Sequence, residues 1–515
     1  MASSYLAGID IGTSGAKAIV FDLEGNPLAT AYNEYGMTYP RPTWVEQDAD
    51  LVVERTMLSM REAVSRSGVD PARIASVSLS AQRCCAIFLD GKERQIRPMI
   101  SWQDNRPVDE VAEIARLVPV AEYYRRTGFP NSTTWLLGKL MWIRKNEPET
   151  WKKTARVVQM HDFFLRALGV DDYFVDNNDA GFFGFFDSTA CVWDRDMLRT
   201  FDIPEGILPL PRDSASPAGL VSAVGAGRSG LATGTKIAIG AGDQCAGSLG
   251  AGVARRGTLS ISMGTAGAVT ALLETPYRDP NGRMMVTNHS QRGNWLLEGY
   301  QAAAASVFRW FKEELSGPEA AQATATGANA YDLICDRAKD VEPGSKGLVF
   351  LPYFAGAATP RYDSDARGVL AGLTFAHDRA CIARAVMEGI TMDMRDMMEA
   401  IRAAGAMVDT VRLLGGPTKS ELWNRIQADA YGTTVQTLKI GDATVLGAAI
   451  MGGVGAGVFG SLAEGAEAMV RVDRTYEPDP SNAKLYDELY KAWTATYEGL
   501  SASGAFGRIA SLQRH

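Results

Sequence analysis

The chain has 515 residues, 46% of them apolar and 22% charged, with 52 Lys and Arg against 60 Asp and Glu for a net charge of −8. That length is more than a single core fills and predicts two large domains, and the composition is that of a soluble globular protein. No basic run stands out, which argues against a nucleic-acid partner, and residues 1–10 lack a basic start ahead of an apolar core, so no signal peptide is read.

Taken in chain order, residues 5–21 and 28–35 read as a strand meander, with Glu24-Gly25-Asn26-Pro27 as a turn signal. Helical spacing follows over 50–67, then a strand over 74–80 that ends at Ala81-Gln82-Arg83-Cys84-Cys85, and a further strand over 86–89. Helices are predicted over 107–116 and 137–145, a short buried strand over 236–240, and a small-residue helix after Gly242-Asp243-Gln244. The second half repeats the plan: a hairpin over 258–273, a helix over 301–315, a strand over 347–351, a helix over 379–403, a strand over 410–414 and a packing helix over 481–500. A new mixed unit starting at the second hairpin places a boundary near 245–257, hence domains over 1–250 and 251–515.

Residues 443–463 carry no charge and are long enough to span a bilayer, but six glycines and the absence of Trp or Tyr at either end predict a close-packed buried helix followed by a turn. No membrane association is expected. Within that stretch Gly455 to Gly460 matches GxGxxG, yet it follows a helix rather than a strand and so fails the context a dinucleotide fingerprint needs. Six cysteines without CxxC spacing predict a reduced, cytoplasmic protein, and four scattered histidines argue against zinc.

One thirteen-residue pattern occurs twice, 252 positions apart: Ile9 to Phe21 (IDIGTSGAKAIVF) and Ile261 to Leu273 (ISMGTAGAVTALL). Each copy reads as strand, Gly-Thr-x-Gly turn, strand. Glycines let backbone amides approach a ligand, and successive N–H groups in such a turn make an anion site. Two ordinary hairpins would explain either copy alone; the pair points to a duplicated fold gripping a phosphate chain. Asp10 and Lys17 align with Ser262 and Val269, so only the first copy is charged. That asymmetry supplies a carboxylate for hydrated Mg²⁺ and an ammonium for phosphate oxygens.

Four groups carry further chemistry. Asp243 ends a strand and opens a helix; an acid there is commonly an N-cap, but at a domain junction it can take the proton of a substrate hydroxyl attacking a γ-phosphate, with Gln244 orienting the same substrate. Gln82, Arg83 and Cys84 stand at a strand end, the usual binding edge of an α/β sheet. The alternatives there are a solvated Arg and cysteines that merely pack. Trp102, Asp104 and Arg106 suit the mixed faces of a sugar or polyol, or else form a capped turn. Gly415 and Gly416 lie between a strand and a helix start, a place for a phosphate or an adenine ring.

These segments together resemble the FGGY carbohydrate kinases of the actin/hexokinase-like superfamily. The match runs through Gly8–Gly15, the Gly-Asp243-Gln244 seam, Gly264-Thr265 and residues 415–423. Residues 348–356 and 368–388 resemble the family's C-terminal signature, with Cys381 where a polar residue is usual, and 139–146 the later half of its N-terminal one. The resemblance implies an α/β fold of two duplicated actin-like (ribonuclease H-like) domains, with mixed sheets flanked by helices and an interdomain cleft. It also implies phosphorylation of a sugar or polyol from ATP with Mg²⁺. By position, Asp10 serves the metal; Thr13, Ser14, Gly15, Lys17, Gly264 and Thr265 the phosphates; Arg309, Gly415, Gly416 and Ser420 the nucleotide; and Asp243 is the base. The specificity positions are mixed. Arg83 with Gln244 resembles glycerol kinases, which carry Glu at the place of Cys84. Xylulose kinases carry Met-His in place of Arg83-Cys84. Autoinducer-2 kinases share the Arg. A pentulose such as xylulose is the favoured substrate; a glycerol- or erythritol-type polyol, or an autoinducer-2-type sugar, is the alternative. A catalytically silent sensor and a chaperone-like nucleotide machine are the other classes, and a homodimer is left open.

Overall fold

The computed structural model describes residues 4–513; the first three residues of the stretch tested for a signal peptide lie outside them, as does His515. The chain forms two compact units, the first made of 1–255, 272–296 and 442–471, the second of 256–271, 297–441 and 472–515. Two excursions of the chain thus belong with the first unit although they lie in the second half of the sequence.

In the first unit the sheet runs Pro217–Leu220, Lys236–Ala238, Ile74–Ala81, Tyr5–Ile11, Gly15–Phe21, Pro27–Glu34, with Ala241–Gly242 also on Ile74–Ala81. Tyr5–Ile11 is antiparallel to Gly15–Phe21 and parallel to Ile74–Ala81. Its middle residues, Leu6, Ala7 and Ile9, are fully buried, as both faces of the sheet are covered. Helix Ala49–Ser67 begins where the Asp48 carboxylate accepts the N–H groups of Asp50 and Leu51, and stops at left-handed Gly68. It lays Val52, Val53, Met57, Met60 and Val64 into the same core as Ile9, Ile11, Val77 and Leu79.

The second sheet repeats this order: Val472–Tyr476, Thr434–Leu438, Val408–Gly415, Gly257–Met263, Gly267–Leu273, Trp295–Gln301. Its hairpin is again antiparallel, with its first strand parallel to the next strand inward. The duplication read from the thirteen-residue repeat is therefore a duplication of sheet topology. The two turns differ by one residue, however. Ile11 pairs with Ala16, whereas Met263 pairs with Gly267. Across from Asp10 stands Lys17, and across from Ser262 stands Ala268, not the Val269 that ungapped alignment gives.

The predicted helix over 301–315 begins later than its periodicity suggested. Trp295–Gln301 is strand, the helix is Ala305–Trp310, and a wider π turn continues over Phe311–Leu315. Residues 302–304 are drawn into a tight link because the N–H groups of Ala304 and Ala305 bond the Thr265 and Gly264 carbonyls at 2.9 and 3.0 Å.

The charge-free stretch forms helix Ala443–Gly455, most of its residues buried, and no described helix is long and apolar enough to cross a membrane. It crosses helix Asp243–Gly250 at the closest approach two backbones allow. A Cβ on Gly250 would lie 1.8 Å from the Ala443 carbonyl oxygen, and one on Gly447 1.8 Å from that of Ala246. Small residues are thus required on both helices, which is why their sequences lack the amphipathic stripe of a surface helix.

Candidate active site

The first hairpin's turn is tied down from three sides by side chains of its own unit. The Tyr35 hydroxyl donates to the Gly12 carbonyl at 2.6 Å, Gln47 Nε2 to the Thr13 carbonyl at 2.9 Å, and Trp102 Nε1 to Thr13 Oγ1 at 3.0 Å. Gln82 Nε2 donates to Gln47 Oε1 at 3.0 Å, while the Gln82 amide N–H bonds the Ile11 carbonyl at 2.8 Å. Thr13, Gln82 and Trp102, singled out separately in sequence, are thereby joined. Ser14 is left exposed at the tip. Gly15 is required by contact rather than by backbone torsion, because a Cβ there would sit 2.5 Å from the Tyr32 ring.

Asp10 lies half buried behind this turn. Ser80, its neighbour in the parallel register, donates to Asp10 Oδ1 at 2.9 Å. Burial, then the charge of Asp243, push the Asp10 carboxyl up to about 6, against the opposing pull of hydrogen bonds from Ser80 and Thr444 and the charge of Lys17. A carboxyl whose affinity for positive charge is raised by a second carboxylate fits a hard divalent cation, which prefers oxygen ligands and retains several waters. Lys17 pairs with Asp442.

Asp243 opens its helix with its Oδ1 accepting the Gln244 N–H at 2.7 Å and facing Arg83 Nε at 2.8 Å. The Arg83 guanidinium lies 4.4 Å over the Phe182 ring, a cation–π position. Gln244 is half buried. Cys84, next along, takes a left-handed φ of 64°, a strained torsion for a residue with a side chain, and its N–H donates to Gln159 Oε1 at 2.7 Å. Lys139, fully buried, holds this bend by donating to the carbonyls of Cys84 at 2.6 Å and Ser101 at 2.9 Å, so it links the Arg83 strand end to the Trp102 loop. Burial raises the thiols of both Cys84 and Cys85, the latter to about 12, and all six cysteines are free. A thiol so raised is a packing group, not a nucleophile.

Asp104 and Arg106 are spent on each other. Arg106 Nε and Nη2 fork onto the two Asp104 oxygens at 2.8 and 2.7 Å, Nη2 also reaches Glu46 Oε1 at 2.7 Å, and Asp104 Oδ2 accepts the Val45 N–H at 2.7 Å. The guanidinium lies against Trp44 and Trp142. Of the Trp102 group, the structure brings Trp102 to the turn and leaves the two charged residues as an interior network.

In the second unit the corner is held by backbone. The Gly264 N–H bonds the Ala266 carbonyl, and the Gly264 and Thr265 carbonyls accept the Ala305 and Ala304 N–H groups, with Ser306 Oγ adding a bond to Thr265 at 2.8 Å. Gly264 and Thr265 are exposed. At the other glycine pair, Gly415 has φ +96° and a Cβ there would meet the Met263 carbonyl oxygen at 2.2 Å, while Gly416 faces open space. Ser420 caps helix Glu421–Tyr431 through the Trp423 N–H at 3.3 Å, and Arg309 is exposed near the end of its helix.

Three residues of the first unit's cluster escaped the sequence reading: Asp442, Thr444 and Asp179. The first two had a signal, since Gly441-Asp442 before a small-residue helix repeats Gly242-Asp243.

Comparison with known proteins accords with this layout. Residues 5–250 match the N-terminal domain model of the FGGY family of carbohydrate kinases, and residues 259–456 the C-terminal one. A xylulose kinase of Bacillus subtilis is 30% identical over 499 residues, 96% of each chain. An autoinducer-2 kinase of Salmonella typhimurium is 28% identical over 517 residues, covering 99% of this chain and 97% of its own. The solved structure of a xylulose kinase from Rhodospirillum rubrum superposes with a TM-score of 0.88 at 29% identity, over 97% of this chain and 99% of that one. With both domain models matched in order across most of its length, the chain belongs to the FGGY family of carbohydrate kinases.

Proposed function

We propose that this carbohydrate kinase phosphorylates a hydroxyl of a pentulose such as xylulose at the expense of ATP, with Asp243 as general base. The sugar oxygen attacks the γ-phosphorus, its proton passes to Asp243, and the bond to the β–γ bridging oxygen breaks to release ADP. The observation that carries the reading is the Asp243 carboxylate, fixed at a helix start against Arg83 at 2.8 Å and close enough to Asp10 for its charge to raise that group. We assign Gln82, Arg83, Trp102 and Gln244 to the sugar, with Asp104 and Arg106 holding the Trp102 loop and Cys84 shaping the bend beside Arg83. Thr13, Ser14, Gly15, Lys17, Gly264, Thr265, Arg309, Gly415, Gly416 and Ser420 are assigned to the nucleotide. Asp10 is assigned to Mg²⁺, which when bound neutralises charge on the phosphates.

ADP release on a panel of pentuloses, polyols, glycerol and an autoinducer-2-type sugar tests this. Xylulose or another pentulose is expected to give the highest kcat/KM. A glycerol-type substrate is the second reading, favoured by Arg83 with Gln244 after the base, and glycerol or erythritol ranking first would establish it. Asp243→Asn should lose about 10²–10⁴-fold in turnover, the range of general-base contributions, while still binding ATP. Near-normal turnover in that variant discards Asp243 as base, and no turnover by the wild type on any sugar supports a silent sensor.

A further inference from the structure

Asp179 sits in the short helix Asn177–Gly181, which starts on the Asp176 carboxylate. Its backbone carbonyl accepts Gln159 Nε2 at 2.9 Å. Its carboxyl group is fully buried, and neither oxygen has a hydrogen-bond partner. An unpaired acid in a protein interior is costly, so a counter-ion within reach is the first thing to seek. His161 and Asp176 lie near enough to suggest a shared metal, but both are engaged. His161 Nε2 is 2.8 Å from the Ile239 carbonyl oxygen and Nδ1 is 3.2 Å from Asp162, while Asp176 accepts the Asn178 N–H at 2.9 Å.

The cation whose charge acts on Asp179 is Arg83. A Cβ on Gly242 would lie 2.3 Å from Asp179 Oδ1 and 2.6 Å from Arg83 Cδ, so the two side chains meet over that one glycine. Arg83 nevertheless gives its Nε to Asp243, the residue after Gly242. Its guanidinium also rests on the face of Phe182. An arginine held on the proposed base occupies an oxygen that a sugar hydroxyl must reach.

We propose that Asp179 is the second anchor of Arg83: when a sugar hydroxyl takes Asp243, the guanidinium passes to Asp179, and the base is freed while the guanidinium keeps a carboxyl partner. Asp179 is on this view a positioning residue that acts through Arg83, and the proposal rests on Asp243 being the base.

The test is a double-mutant cycle on the full chain with the best sugar of the panel: Asp179→Asn, Arg83→Ala, the double variant, and Asp243→Asn as reference. Asp179→Asn is expected to lower kcat about tenfold with the KM for ATP unchanged, and to alter kcat less than about twofold once Arg83 is already alanine, since groups acting through each other do not add. Wild-type kinetics in Asp179→Asn overturns the proposal, and so does an equal loss in both backgrounds, which would mean direct sugar contact or a structural role. Melting temperatures accompany each variant, with Asp179→Ala run in parallel. Replacing an unpartnered buried acid by a neutral group should hold or raise stability, and failure of both variants to fold makes Asp179 structural and overturns the idea. If Asp243→Asn keeps its turnover, or the wild type acts on no sugar, the base assignment falls and takes this proposal with it. If Asp243→Asn is inactive and Asp179→Asn is normal, only the proposal falls.

Discussion

The corner after Tyr5–Ile11 and the corner after Gly257–Met263 occupy the same place in two sheets of the same strand order, yet they are secured by different means. Side chains from distant segments, Tyr35, Gln47 and Trp102, converge on the first, which backs onto Asp10 and Lys17. The adjoining segment 304–306, through two backbone N–H groups and the Ser306 hydroxyl, secures the second, where Ser262 and Ala268 hold the equivalent pairing. Both copies keep a tight hairpin turn, one residue shorter in the second. Charge was not preserved: Asp10 and Lys17 face each other in the first hairpin, Ser262 and Ala268 in the second. The first corner is thus set among charged and polar side chains, and the second is an exposed turn without charge in its pairing.

The sharpest way to break this contrast is to remove the charge. Asp10→Asn should cost turnover about 10²–10³-fold, comparable to losing a preorganised electrostatic group, whereas Ser262→Ala should leave kcat/KM essentially unchanged. Equal effects in a steady-state assay would mean that the asymmetry is incidental.

A smaller effect separates the glycines. Gly15→Ala forces a methyl into the Tyr32 ring and should destabilise by about 1–3 kcal/mol, the usual cost of overpacking. At Gly264 the nearest atom to an added Cβ is 3.9 Å away, so Gly264→Ala should melt like the wild type. If phosphate oxygens approach that turn, its KM for ATP should still rise about tenfold, as for a lost charge-assisted hydrogen bond. Wild-type affinity for ATP removes Gly264 from the nucleotide site. Lys17→Met should weaken ATP binding by a similar or smaller factor, since its ammonium is already shared with Asp442; isothermal titration reads this directly.

How far the sequence discloses these features follows from their range. The duplicated α/β plan was legible because each strand and turn declares itself within a few residues, as Ile74–Ala81 and the Ala443–Gly455 helix do. Asp10, Lys17 and Asp243 stood out by asymmetry between repeats and by position at a strand end. The membership of 442–471 in the first unit did not, because it is decided by a helix crossing of Gly250 on Gly447, a contact nearly two hundred positions apart in sequence. Asp179 gave no signal at all. Its interest lies in lacking a partner, and a missing hydrogen bond cannot be read from spacing. The Asp104–Arg106 pair shows the converse, since polar residues near an aromatic look like ligands until their partners are known.

The smallest expected effect concerns protons at the charged corner. The Asp10 carboxyl is raised from 3.8 to about 6, first by burial and then by Asp243. Between those values the folded protein holds a proton there that an exposed aspartate would have released. If Asp10 holds Mg²⁺, a proton competes for the same oxygens, and the Mg²⁺ concentration giving half-maximal turnover should stay flat above neutrality and rise as pH falls through 6. The rise should be about fourfold between about pH 7 and pH 5.5, following the ionised fraction of one group. Ser80→Ala removes a hydrogen bond that favours the ionised form and should move the whole dependence to higher pH. A Mg²⁺ requirement indifferent to pH, in the wild type and in Ser80→Ala alike, would place the metal on other oxygens and leave Asp10 as a structural acid, which would erase the functional half of the contrast between the two corners.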